Sequence, residues 1–236
     1  MKAIIMAGGF GKRLGLSGKS KCLIEVLGKP VIDYTLDKLL EIQEIQEIFV
    51  ITNNTFYQDF VEWAKNKKKT RIFTDGSDSE QNKVGALTAL LNFLENQGIN
   101  QDFFLGAADH FFDFSLIEPY ETFRRKKLDL AVFYDIKDLE QAKRLGVARL
   151  ENNLIASFEE KPQNPKLTLV SSAMYFFKRE TIPLIKELKE KRANDNLGML
   201  LSYLHIRIPI YGYITSGKNV DIGTKEALNK LNKTNF

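Results

Sequence analysis

Cysteine is almost absent. Cys22 is the only one in 236 residues, which excludes an intramolecular disulfide framework or a metal site of several thiolates and suits a reducing compartment. Also missing is any run of about 18 apolar residues, the length a membrane-spanning helix needs. No secretory leader is evident, since Met1-Lys2 leads straight into a short strand-like run. These absences predict a cytoplasmic protein that starts at Met1 and has no membrane partner. Internal repeats, low-complexity tracts and an interdomain linker are lacking too, so residues 1–236 are expected to form a single domain. What is there is ordinary: 44% hydrophobic and 27% charged residues with a formal net charge of +4. That charge suits phosphate ligands without requiring them. The densest basic run, Lys65 to Arg71, falls where a helix should end before a strand. With few aromatics interleaved, it reads as a solvated helix end favoured by the helix dipole, and no nucleic-acid partner is expected.

The first half alternates short apolar runs with segments of helical period, the pattern of a parallel sheet with crossover helices. Strands are predicted at Ala3 to Ala7, Ile48 to Thr52, Arg71 to Thr74, Phe103 to Ala107 and Leu130 to Tyr134. Between them, Ile32, Leu36, Leu39 and Leu40 make one amphipathic face and Val84, Leu87, Leu91 and Leu94 another. Pro30 marks a helix start and Gly98 a helix end. After about residue 135 antiparallel strands enter. Val147 to Leu150 and Ile155 to Phe158 read as a hairpin, followed by strands at Leu169 to Phe177 and Arg207 to Ile214. Pro209 suggests a sheet edge for the last. Helices are expected at Thr181 to Lys191, Leu197 to Leu204 and Lys225 to Lys233.

The opening strand runs directly into Ala7-Gly8-Gly9-Phe10-Gly11-Lys12-Arg13-Leu14. Glycines of this kind can turn backbone N–H groups toward a phosphate, and two cations stand ready to neutralise it. Alone, they could equally make a tight strand-to-helix turn. Gly11-Lys12 is followed by Arg13, not by the Ser or Thr of a P-loop, and Leu14 replaces the third glycine of a dinucleotide fingerprint.

The loop continues through Ser20-Lys21-Cys22-Leu23 to Gly28-Lys29-Pro30, and further segments follow in order. They are Leu105-Gly106-Ala107-Ala108-Asp109-His110, Phe158-Glu159-Glu160-Lys161-Pro162 and Val220-Asp221-Ile222-Gly223-Thr224. Together they resemble the signature of the sugar-phosphate nucleotidyltransferases, also called NDP-sugar pyrophosphorylases, over nearly the whole chain. The resemblance implies a Rossmann-like α/β fold, a mixed but mainly parallel sheet flanked by helices with a strand-rich sugar-binding lid. Residues 1–135 would bind the NTP and 136–236 the sugar phosphate. It implies transfer of a nucleotidyl group from an NTP to a sugar 1-phosphate, with Arg13 and Lys21 catalytic. Ala7, Gly8, Gly9 and Gly11 would hold the triphosphate, and Gln81 and Gly85 the base. Gly146, Glu160, Lys161 and Ser171 would hold the sugar phosphate. Asp109 and Asp221 would bind Mg²⁺, and a homo-oligomer is left open. Four positions depart from the family pattern: Ser20 replaces a proline, Ala108 a glycine, and Ser171 and Ala173 stand where Asn-x-Gly is usual. Two alternatives remain, a relative with a non-sugar acceptor and a non-catalytic regulatory subunit of the same fold.

Overall fold

The structure, a computed structural model, describes every residue except 12–14, 16–17, 191–195, 225–226, 229–230 and 232–236. The strands are β1 Lys2–Met6, β2 Glu25–Val26, β3 Lys29–Pro30, β4 Glu47–Thr52, β5 Thr70–Thr74, β6 Phe103–Ala107, β7 His110–Phe112, β8 Asp129–Asp135, β9 Gly146–Glu151, β10 Leu154–Glu160, β11 Leu169–Phe177, β12 Ile210–Thr215 and β13 Asn219–Asp221. The helices are α1 Val31–Leu40, α2 Tyr57–Ala64, α3 Ala86–Asn96, α4 Ile117–Lys126, α5 Leu139–Ala142, α6 Ile182–Lys186 and α7 Gly198–Leu204.

Among the described residues, nine strands form one sheet in the order β5-β4-β1-β6-β11-β8-β12-β10-β9. β1 lies parallel between β4 and β6, which satisfy its edges, and helices cover both of its faces, so its sequence needs no polar alternation. Its side chains alternate all the same. Ala3 and Ile5 pack with Ile32, Leu36 and Leu39 of α1 on one face. Ile4 and Met6 pack with Leu87, Leu90, Leu91 and Leu94 of α3 on the other. α2 and α4 join the α1 face through Phe60 and Phe123. α6 and α7 join the α3 face through Ile185, Leu200 and Leu201.

The mixed, mainly parallel expectation holds: β11 and β10 run against the remaining strands of the sheet. The second-half strands continue the sheet of the first half, with β11 entering between β6 and β8. β9 also bonds β11 at Val147 and Val170, so the far end of the sheet curls back on itself.

Two expectations change. β12 lies inside the sheet, between β8 and β10, not at an edge. Pro209 precedes its first residue and therefore removes no ladder donor. The helix expected over Thr181 to Lys191 is broken into a 3₁₀ turn at Arg179–Thr181, α6 and a second 3₁₀ turn at Glu187–Glu190, with Lys191 outside the described residues. Most of the helix expected over Lys225 to Lys233 also lies outside them, although Thr224 Oγ1 accepts the Ala227 N–H at 3.2 Å, as a helix cap would. The basic run after α2 behaves as a solvated helix end. Lys65 pairs with Glu62, Lys67 with Asp33 at 2.8 Å, and Lys69 Nζ donates to the Ile45 carbonyl at 2.7 Å.

Candidate active site

The loop after β1 starts at the C-terminal end of the parallel strands, where open α/β sheets bind ligands. Its entry is tied down on both sides. The Ala7 N–H donates to the Ile51 carbonyl at 2.7 Å, and Asn53 Nδ2 donates to the Gly8 carbonyl at 3.0 Å. The loop returns at Ser20, whose buried hydroxyl accepts the Cys22 N–H at 3.3 Å and caps a 3₁₀ turn over Lys21–Leu23. Ser20 has φ −66°, a value that a proline would also adopt.

This turn aims Lys21 at the end of β6. Its ammonium bonds Asp109 Oδ2, and the two side chains are largely buried. Burial alone would lower the Lys21 pKa; the Asp109 carboxylate outweighs it and raises it. Burial likewise opposes ionisation of Asp109, and the Lys21 charge overcomes it and holds the carboxyl below its ordinary value. Asp221 arrives from the other end of the chain. β13 pairs antiparallel with β7, setting Asp221 opposite His110, and the Ile222 N–H donates to the Asp109 carbonyl at 3.1 Å. His110 is buried in this ribbon with Nδ1 2.9 Å from Asn219 Oδ1.

A second group is built by the hairpin β9–β10. Gly146 opens β9 opposite Glu160, and the Lys161 N–H donates to the Leu145 carbonyl at 3.0 Å, with Lys161 in the left-handed region at φ 52°. Lys161 Nζ stands 3.6 Å from Glu160 Oε1. The Glu160 carboxylate rests so closely on Gly198 that a Cβ there would lie 1.9 Å from its Oε2. Burial pushes the Glu160 carboxyl up against the pull of Lys161. Beside it, β11 loses register between Ser171 and Tyr175. Ser171 Oγ accepts the Ala173 N–H at 3.1 Å and lies 3.1 Å from the Tyr175 hydroxyl, while Ala173 takes φ 55°.

One cavity of about 390 Å³ joins the two groups. Of the residues expected at a site, Ala7, Gly8, Gly9, Lys21, Gly85, Asp109, Gly146, Glu160, Lys161, Ser171 and Asp221 line it. Gly11 and Gln81 do not; Gln81 is exposed on a 3₁₀ turn at Glu80–Asn82. Arg13 lies outside the described residues. Asp75, Arg144, Asn196 and Gly198 also line the cavity and escaped the sequence reading. Asp75 directly follows β5 and Arg144 stands two residues before Gly146, positions that alone would have drawn attention to them. Cys22 is part of the wall as well; burial pushes its thiol up to about 12, leaving it protonated and unreactive near neutral pH.

The family model for nucleotidyl transferases matches residues 2–235. The chain belongs to the nucleotidyl transferase family. A glucose-1-phosphate thymidylyltransferase of Neisseria gonorrhoeae is 30% identical over 98% of this chain and 81% of its own length. The bifunctional protein GlmU of Methanocaldococcus jannaschii is 26% identical over 99% of this chain, which spans only 54% of that protein. Among solved structures, a Bacillus anthracis chain described as a glucose-1-phosphate thymidylyltransferase, in complex with sucrose, superposes with a TM-score of 0.82 at 25% identity and covers all of this chain and 96% of its own. A UDP-glucose pyrophosphorylase complexed with UDP-glucose shares the fold, with a TM-score of 0.82 at 19% identity over 98% of this chain and 96% of its own. This nucleotidyl transferase gathers Lys21, Asp109 and Asp221 with Glu160 and Lys161 around one cavity. Among the described residues no helix is long and apolar enough to cross a membrane.

Proposed function

We propose that this nucleotidyl transferase joins an NTP to a sugar 1-phosphate, releasing pyrophosphate and an NDP-sugar. The observation that carries the reading is one cavity lined both by Gly8, Gly9, Lys21, Asp109 and Asp221 and by Glu160 and Lys161. A sugar-phosphate oxygen attacks the α-phosphorus, a new P–O bond forms, and the bond to the β-phosphate oxygen breaks. The attacking phosphate is already ionised, so the protein's task is alignment and charge neutralisation. In this reading Gly8, Gly9 and Gly11 hold the triphosphate, Arg13 the leaving pyrophosphate, and Lys21 the charge developing at the α-phosphate. Lys161 holds the attacking phosphate and Glu160 accepts sugar hydroxyls.

Asp109 and Asp221 fit a hard divalent cation. They are oxygen donors brought together by adjoining chain segments, and no group of three His, Cys, Asp or Glu suited to a metal occurs among the described residues. Two carboxylates leave further positions for phosphate oxygens and water, as Mg²⁺ prefers. When bound, Mg²⁺ would neutralise phosphate charge and orient the oxygens. A reducing, cytoplasmic setting accords with the single buried Cys22.

The test is pyrophosphate release from a panel of NTPs and sugar 1-phosphates with Mg²⁺. Lys21→Ala should lower kcat about 100-fold or more. Near-normal turnover in that variant removes Lys21 from the mechanism, and silence of the wild type across the panel favours a non-catalytic regulatory role.

A further inference from the structure

Family membership leaves the base undetermined. Asp75 follows β5 at the cavity wall, with its N–H donating to the Thr52 carbonyl at 2.8 Å. Its Oδ1 accepts the Ser77 N–H at 2.8 Å, and the buried Ser77 hydroxyl accepts the Val84 N–H at 2.9 Å, which ties this turn to the start of α3. Apart from Ser77, whose backbone and side chain both favour the ionised form, no group hydrogen-bonds the Asp75 carboxylate among the described residues; the oxygen not held by the Ser77 N–H is Oδ2. It faces Gly8, where a Cβ would lie 2.8 Å away. The nearby cation, Lys83, is engaged by Glu80 at 2.6 Å. Burial therefore raises the Asp75 pKa against the pull of its Ser77 bonds, the state of a carboxylate short of donors.

At that start of α3, Gly85, Ala86 and Ala89 also line the cavity, small residues that leave room for a flat ring. Gly85, at φ 91°, opens α3, so the N–H groups of Gly85 and Ala86 lie at a helix start where no helical carbonyl accepts them. The wall thus offers an acceptor-only carboxylate near backbone donors. Guanine presents two adjacent donors, N1–H and the 2-amino group, next to the O6 acceptor. Uracil and thymine set one donor between two carbonyls, while adenine and cytosine set an amino group beside an acceptor nitrogen. The carboxylate would face a lone pair in each of those cases.

We propose that Asp75 reads the nucleotide base and selects guanine, making GTP the donor nucleotide. The inference rests on the nucleotidyl-transfer reading above and adds the identity of the base to it.

Equilibrium binding of GTP, ATP, UTP, CTP and XTP to the full chain with Mg²⁺ tests it without knowledge of the acceptor sugar. The wild type should bind GTP at least about 100-fold more tightly than UTP, since a site built around donors rejects a base that lacks them. Asp75→Asn should lose this preference and favour XTP, whose 2-carbonyl accepts the new amide N–H. Comparable binding of all NTPs by the wild type overturns the assignment, as does tightest binding of any nucleotide other than GTP. A uniform loss for every NTP in Asp75→Asn overturns it too, because it would place the carboxylate on the shared ribose. If that variant fails to fold, the wild-type panel alone decides. Turnover with another NTP defeats only the base assignment, whereas binding of none defeats both readings.

Discussion

Replacing Ala173 with glycine should stabilise this protein, although the change deletes a methyl group from a sheet. Ala173 occupies the left-handed region, at φ 55°, within the register break of β11, where Ser171 Oγ holds its N–H at 3.1 Å. An L-residue pays about 1–2 kcal/mol for that conformation. Glycine does not, but its looser unfolded chain returns about 0.5–1 kcal/mol of the gain. The net expectation is about 0.5–1 kcal/mol of added stability. For a chain of 236 residues this raises Tm by about 1–4 °C. Thermal unfolding and urea titration of Ala173→Gly beside the wild type measure it. Ala173→Val supplies the opposite sign, because a β-branched side chain fits the left-handed region worst. An unchanged or lowered Tm in the glycine variant, or a valine variant as stable as the wild type, would refute the claim that this bulge is strained.

Gly198→Ala sets a methyl group 1.9 Å from Glu160 Oε2 and must displace that carboxylate. KM for the sugar 1-phosphate should rise about 10- to 100-fold while NTP affinity holds; equal effects on both substrates would dissociate Glu160 from the sugar. Asp129 is buried, accepting the Lys178 N–H and the Thr181 hydroxyl at 2.7 Å each, and burial pushes its carboxyl up to about 6. The unfolded chain titrates near 3.9, so it releases this proton first as pH rises, and stability falls between about pH 4 and 6 by about 3 kcal/mol before levelling. Asp129→Asn should remove that decline, read as a stability difference from the wild type that grows over the same interval; a difference independent of pH would contradict it.

The parallel core was legible because strands covered on both faces need no polar alternation, and Ala3 to Ala7 and Leu130 to Tyr134 show none. α2 and α4 were not. In α2 only Phe60 is fully withdrawn from solvent, and α4 carries Pro119 and a basic end, so neither shows a broad apolar stripe. The Lys21, Asp109 and Asp221 constellation could be read through ordered motifs, but not the ribbon that unites it, since β7 and β13 are three residues each. Asp75 was missed because Asp75-Gly76-Ser77-Asp78-Ser79 has the composition of a solvent turn. Its Oδ2 lies instead against Gly8, two strands away in the sheet. Gln81, chosen for its amide, sits on the outside of that same segment.

The place of β11 governs the order in which the sheet can be completed. As the chain leaves the ribosome, β6 emerges with one edge satisfied by β1, but the partner for its other edge is made only after β8, α5, β9 and β10. Until then β6 offers unpaired backbone groups and an apolar surface, the hazard typical of slow, non-local pairing. A fragment cut at residue 135 would keep that edge open for good, so nascent-chain length, more than local sequence, sets when the nucleotide half becomes a finished surface.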